Sequence, residues 1–192
     1  MPLAAYDFVS PVDVAATTAA FFGGQIDLDP ASSKYANTIV GAERYFTVAD
    51  NGLKQKWKAK SVYLYPPRDF LTSGEQPPDP SLYHRRKRFQ RSAQRVWLEE
   101  AYRRYVRQEF DEAIIFLTSA EVALITTQKL NIDLPLCVMR EHPKIFIDNP
   151  DLTLIPKTRC HGFIYYMPSV NNTEERINEF CSLYSNLGRV FV

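Results

Sequence analysis

Four stretches of the chain hold side chains able to do chemistry. Ile26-Asp27-Leu28-Asp29-Pro30-Ala31-Ser32 sets two carboxylates at the end of a short apolar run. Acidic groups at a strand's carboxyl end lie where α/β sheets bind ligands, and there they accept hydrogen bonds from a ribose or a cationic amino group. The same string also reads as plain turn and capping chemistry. Tyr65-Pro66-Pro67-Arg68 follows a second apolar run. Two prolines make a rigid elbow that lacks two backbone donors and keeps its carbonyl acceptors. Such an elbow holds a carbonyl towards a ligand, or simply starts a stiff loop. Asp50-Asn51-Gly52-Leu53 is a turn signal that needs no functional explanation, and Trp57 behind it suits a core anchor. The fourth stretch is basic: Arg85, Arg86, Lys87, Arg88 and Arg91 lie between Tyr83 and Arg91 with aromatic neighbours, and Arg95, Arg103, Arg104 and Arg107 extend it. It reads as a phosphate-contacting arm, or as a solvated loop that docks an acidic protein. His84, His142 and His161 show no ligand spacing and read as structural.

These residues need elements to hold them. Ser10-Pro11 reads as a helix start, a capping hydroxyl followed by proline at the first helical position, with the helix over 12–22 ended by Gly23-Gly24. Residues 25–28 and 61–65 read as short buried strands, and 31–51 as irregular. Residues 68–92 read as a long basic loop inserted in the domain, of a length that marks function or disorder. Helices are expected over 93–110, 121–130 and 173–185, and strands over 113–117, 136–139, 144–147, 162–167 and 189–192. Helices alternating with short apolar strands imply an α/β sheet with helices on its faces and a more antiparallel group near the C-terminus.

Bulk properties fit one compact domain over residues 1–192. Hydrophobic residues make up 45% and charged residues 23%, as in ordinary globular chains. Seven glycines against thirteen prolines argue against a glycine-rich phosphate loop. A net charge of +1 gives no general nucleic-acid signal, so that signal must come from local clustering. The three cysteines, Cys137, Cys160 and Cys181, are odd in number and widely spaced, which suits reduced thiols and a cytoplasmic setting. No leader pattern or bilayer-length apolar run is seen, so neither a membrane nor a metal partner is expected.

The order of these pieces resembles the phage-type, Dam-like DNA N6-adenine methyltransferase family. The shared layout is Ser10-Pro11, then Leu28 to Ala31, then Asp50 to Leu53 with Trp57, then a strand ending in Pro66-Pro67. The segments 140–146 and 162–168 also look like that family's C-terminal half, so the likeness runs over about residues 8–168. The resemblance implies a Rossmann-like fold that binds S-adenosylmethionine, with Ser10, Asp27 and Asp29 lining the cofactor pocket, Asp50 near its adenine, no metal, and DNA as partner.

The family's tetrapeptide is Asn or Asp, Pro, Pro, then an aromatic residue. The first side chain and the first proline carbonyl accept both hydrogens of the adenine amino group, stabilising charge that develops on nitrogen. The aromatic ring stacks on the flipped-out base. Here Tyr65 stands at the amide position and Arg68 at the aromatic one. A phenol is larger and places its oxygen farther from the backbone, so its ring is expected to take space the base needs. Loss of one such oriented contact costs roughly 10²–10³ in rate. The expectation is a methyltransferase-like protein with Tyr65, Pro66, Pro67 and Arg68 as an altered catalytic motif, impaired or inactive, that binds nucleic acid or a protein partner. The alternative is an active adenine methyltransferase with an unusual motif.

Overall fold

The computed structural model describes residues 8–67, 70–72, 90–131, 133–155, 160–171 and 173–192. In chain order the strands are β1 (Phe8–Val9), β2 (Ile26–Asp29), β3 (Ala42–Tyr45), β4 (Ala59–Leu64), β5 (Phe70–Thr72), β6 (Gln90–Ser92), β7 (Phe110–Leu117), β8 (Leu136–Met139), β9 (Phe146–Ile147), β10 (Phe163–Met167) and β11 (Gly188–Phe191). The helices are α1 (Val12–Phe21), α2 (Ala36–Val40), α3 (Ala93–Val106), α4 (Thr127–Leu130) and α5 (Thr173–Tyr184). A π-helical turn, Val122–Thr126, leads into α4.

Seven strands form the central sheet in the order β3-β2-β4-β7-β10-β8-β11. The pairs β3/β2, β2/β4 and β4/β7 are parallel, and β7/β10, β10/β8 and β8/β11 are antiparallel. Two reversals bring β8 back to the direction of β7, so most strands point one way. The fold is mixed α/β, as the alternation of helix and strand patterns implies.

The period of two along a strand divides the core into two layers. Tyr63 and Tyr65, Ile114 and Phe116, and Ile164 and Tyr166 face α1, α2 and α5, which contribute Val14, Phe21, Val40, Phe180 and Tyr184. Val62 and Leu64, Ala113, Ile115 and Leu117, and Phe163, Tyr165 and Met167 face α3 and the π-helical turn. Helices therefore cover both faces, which is why the central strands read as continuous apolar runs.

Several expected elements are corrected. The segment 31–51 is not irregular: α2 and β3 lie within it, separated by Gly41 in the left-handed region at φ 67°. β3 is an edge strand with Glu43 and Arg44 exposed, so it lacks the apolar alternation that marks a buried strand. The inserted loop is not loop throughout, because β5 and β6 pair antiparallel at its two ends. α3 stops at Val106, and a turn with Gln108 at φ 56° feeds β7, whose first residue is Phe110. The strand expected over 144–147 shrinks to β9, which pairs with β1 outside the main sheet. The Ser10 capping role also fails. Pro11 itself is the N-cap with no side-chain cap bond, and the Ser10 hydroxyl meets the Tyr63 hydroxyl at 2.6 Å.

Candidate functional site

Between β2 and β4 the strand order reverses: the chain passes outward from β2 to β3, then returns to β4 on the other side of β2. Ligands of open α/β sheets bind at such switch points, outside the carboxyl ends of the strands. The parallel register pairs Leu28 with Val62, so Asp29 ends β2 level with Tyr63, and Tyr65-Pro66-Pro67 leaves the same edge.

Asp29 is 2% exposed. One of its carboxylate oxygens accepts the Ala31 N–H at 3.1 Å, a local Asx turn. Burial raises its pKa from 3.8 to about 7, against the lowering by the Ala31 N–H and the nearby Ser32 hydroxyl. The Ser32 Oγ is buried and makes no hydrogen bond of ordinary geometry. Burial holds the Tyr63 phenol well above its ordinary pKa, the Ser10 hydrogen bond opposes this, and the Asp29 charge adds to the rise. Ser10, Asp29, Ser32 and Tyr63 thus form one buried polar group at the switch point.

The other acidic residues expected there do different work. Asp27 turns towards β4, where its carboxylate accepts the Lys60 N–H at 2.8 Å, while its own N–H donates to Ser61 Oγ at 3.0 Å. It replaces ladder bonds between β2 and β4. Asp50 lies in an exposed turn and accepts from the Thr47 hydroxyl at 2.7 Å and the Thr47 N–H at 2.8 Å, and these bonds lower its pKa. Both bonds fall on one of its two carboxylate oxygens.

The Asp-Asn-Gly-Leu turn nevertheless supports the site. The Asp29 carbonyl accepts the Phe46 N–H, and the Phe46 carbonyl accepts the Ser32 N–H. Gly52 sits so close to Pro30 that a Cβ there would lie 1.9 Å from the Pro30 carbonyl oxygen. Trp57 is fully buried and donates from its indole N–H to the Gly52 carbonyl at 2.8 Å. Arg104 completes the brace: it donates to the Leu53 and Gln55 carbonyls, pairs with Glu100, and lies 4.7 Å over the Trp57 ring. Arg104 therefore leaves the basic face on which the sequence pattern put it.

Tyr65 is 5% exposed and packs its ring against Phe116, with centroids 4.9 Å apart. Its position two residues after Tyr63 commits it to the α1/α5 layer, and Pro66 behind it is buried. Arg68 and the run Arg85, Arg86, Lys87 and Arg88 lie outside the described residues, and the Arg91 side chain is likewise not described. The paired strands β5 and β6 bracket the basic stretch. β6 runs directly into α3, where the Gln94 amide clasps the carboxyl end of β7: its oxygen accepts the Thr118 and Ser119 N–H groups, and its nitrogen donates to the Thr118 hydroxyl. Arg95 pairs with Glu99 at 2.7 Å and Arg103 with Glu100, whereas Arg107 is exposed.

From sequence, neither Tyr63 nor Gln94 is expected as a contributor, Ser32 has no role of its own within its string, and Arg104 falls on the basic face. Ser32 had the best signal, as a hydroxyl three residues past a strand-end carboxylate. Elsewhere, the rings of His142 and His161 lie 5.3 Å apart at the surface, and His142 Nδ1 is 2.8 Å from the Cys160 carbonyl. Among the described residues, no group of three or more His, Cys, Asp or Glu side chains is placed to hold a metal, and no helix is long and apolar enough to cross a membrane. No protein-family model, curated protein or solved structure matches the chain.

Proposed function

We propose that this chain is a cytoplasmic DNA adenine methyltransferase-like protein that binds S-adenosylmethionine at the β2/β4 switch point, contacts DNA through its basic segment, and is impaired or inactive in methyl transfer. The reading rests on the buried polar group at that switch point. Asp29 is a buried acceptor with one backbone N–H and the neighbouring Ser32 hydroxyl beside it, and that hydroxyl meets no acceptor in ordinary hydrogen-bond geometry. Buried polar groups in folded proteins are nearly always satisfied, so such a pair suits a ligand rich in hydrogen-bond donors. Ribose hydroxyls or an amino group would serve. When bound, the cofactor supplies a transferable methyl group.

The impairment rests on Tyr65. In the resembling family an amide at this position accepts an amino hydrogen of the target base. Here the side chain is packed on Phe116 within the core, where it does not serve as that acceptor. Pro66 keeps, by its residue type, the carbonyl that forms the other half of the family's arrangement.

Calorimetry with S-adenosylmethionine tests the first claim, with micromolar to millimolar binding expected. No heat at millimolar ligand would remove the cofactor from the reading. Incubation with labelled cofactor and unmethylated DNA tests the second. Turnover by the purified chain would show that Tyr65 and Arg68 support transfer, and the protein would then be an enzyme with an unusual motif.

A further inference from the structure

The buried acid at the switch point has a property that its place in a cofactor site does not require. Among the described residues, no ion pair involves Asp29. The charged and titratable groups around it are otherwise engaged or distant in role. From β3, Tyr45 is its register partner and the Arg44 guanidinium donates to the Lys58 carbonyl. From β4, Tyr63 is bonded to Ser10, Tyr65 lies against Phe116, and Lys60 contributes only its backbone N–H, to Asp27. Beyond β2, Lys34 is exposed, and Asp148 accepts from the Ser33 hydroxyl. Asp29 thus has burial, one backbone donor, the Ser32 hydroxyl beside it and, among the described residues, no counter-cation.

A carboxylate in that setting is stable only if a proton or a donor-bearing ligand compensates it. We propose that Asp29 is a proton-linked specificity residue, holding its proton more tightly in the empty crevice than when a ligand brings hydrogen-bond donors to it, so that binding releases protons. This rests on reading the crevice as an S-adenosylmethionine site and adds how that site chooses its ligand. A ligand lacking donors at this point would leave the carboxyl protonated and gain nothing from it. Burial that shifts the Asp29 pKa to about 7 sets the range in which the exchange is visible. Two sources of donors fit, a ribose diol and an ammonium group.

The test is calorimetry on the full chain in buffers of different ionisation enthalpy, which counts protons exchanged on binding. The probes are S-adenosylmethionine, adenosine and methionine. For S-adenosylmethionine about half a proton should leave at pH 7, and affinity should rise about tenfold between pH 6 and pH 8. The Asp29→Asn chain should lose both effects beyond what the ligand's own groups contribute. Release with adenosine would assign the ribose hydroxyls as donors, and release with methionine would assign the ammonium. Binding without proton release, or equal release by the Asp29→Asn chain, overturns the inference and leaves the cofactor site standing. Failure of all three probes to bind overturns both. Direct titration of the Asp29 carboxyl by carbon NMR, without and with ligand, gives the same answer on the unaltered protein if Asp29→Asn does not fold. A midpoint below pH 5 in the empty site would overturn the inference.

Discussion

Replacing Tyr65 by asparagine would restore the side chain found in the family that the chain resembles, yet the fold makes it a core substitution. Tyr65 is 5% exposed, its ring centroid is 4.9 Å from that of Phe116, and it shares a layer with Tyr63, Ile114 and Tyr166. Removing a buried aromatic ring in such a place costs about 3–5 kcal/mol in transfer and cavity terms. The new amide adds about 1–3 kcal/mol if its donors find no partner. Against a typical stability of roughly 5–15 kcal/mol, that is a large share. For a chain of this length the ring loss alone lowers the melting temperature by roughly 6–20 °C. Tyr65→Phe is the control: it keeps the ring, so the loss should stay within about 1.5 kcal/mol. Urea denaturation followed by circular dichroism reads both. A loss below about 1 kcal/mol for Tyr65→Asn would place Tyr65 outside the core and refute the reasoning. The same geometry predicts that the pair Tyr65→Asn, Arg68→Tyr gains no methyl transfer, because the amide would be aimed at Phe116. Labelled methyl incorporated into DNA by that double variant would show the strand end re-aiming its side chain.

Other predictions follow from the switch point and its supports. Asp29 has a folded-state pKa raised from 3.8 to about 7, so its contribution is fully present below pH 4 and is lost as pH rises through 7. Relative to Asp29→Asn, the unaltered protein should lose a few kcal/mol between pH 4 and pH 8, read from urea midpoints; a pH-independent difference would contradict the burial of an ionisable carboxyl. Gly52→Ala should weaken S-adenosylmethionine binding at least tenfold by displacing the Pro30 carbonyl, as read by calorimetry; unchanged affinity would uncouple the turn from the site. Arg104→Ala breaks a buried pair and should cost about 3–5 kcal/mol, with faster hydrogen exchange at the Trp57 indole N–H; unchanged exchange would mean the brace does not hold the turn. Alanine at Arg85, Arg86, Lys87 and Arg88 together should weaken DNA binding and flatten its salt dependence in fluorescence titrations; an unaltered slope would reject the segment as the contact.

The central strands were legible because both of their faces are covered. Val62-Tyr63-Leu64 and Ala113 to Leu117 have no polar side, so each stands out as an apolar run between turns. β3 and the β5/β6 ribbon were not legible. Ala42-Glu43-Arg44-Tyr45 is an edge strand held by pairing with β2, and Phe70–Thr72 is too short for any period to show. The end of α3 was overrun because the Gln108 turn that breaks the helix carries no glycine or proline.

The two acids of β2 show where reading from sequence stops. Asp27 and Asp29 share a type and a strand, and both were expected at the ligand. Their fates separate through register, which no single residue reveals. β2 and β4 are paired at Leu28 and Val62, and one step earlier the Asp27 carboxylate takes the Lys60 N–H that a ladder carbonyl would otherwise accept. That carboxylate is hydrogen-bonded by the sheet it helps to join. Two residues later β2 has ended, the chain turns at Pro30, and the Asp29 carboxyl is buried with a single backbone donor. An acid satisfied by its own sheet has little left to offer a ligand, whereas one left under-bonded at a switch point gains most from a ligand with donors. Asp29 is therefore the residue on which the cofactor reading turns, and Asp27→Asn should affect strand pairing and stability while leaving ligand affinity within about threefold, since the ligand-facing group is untouched.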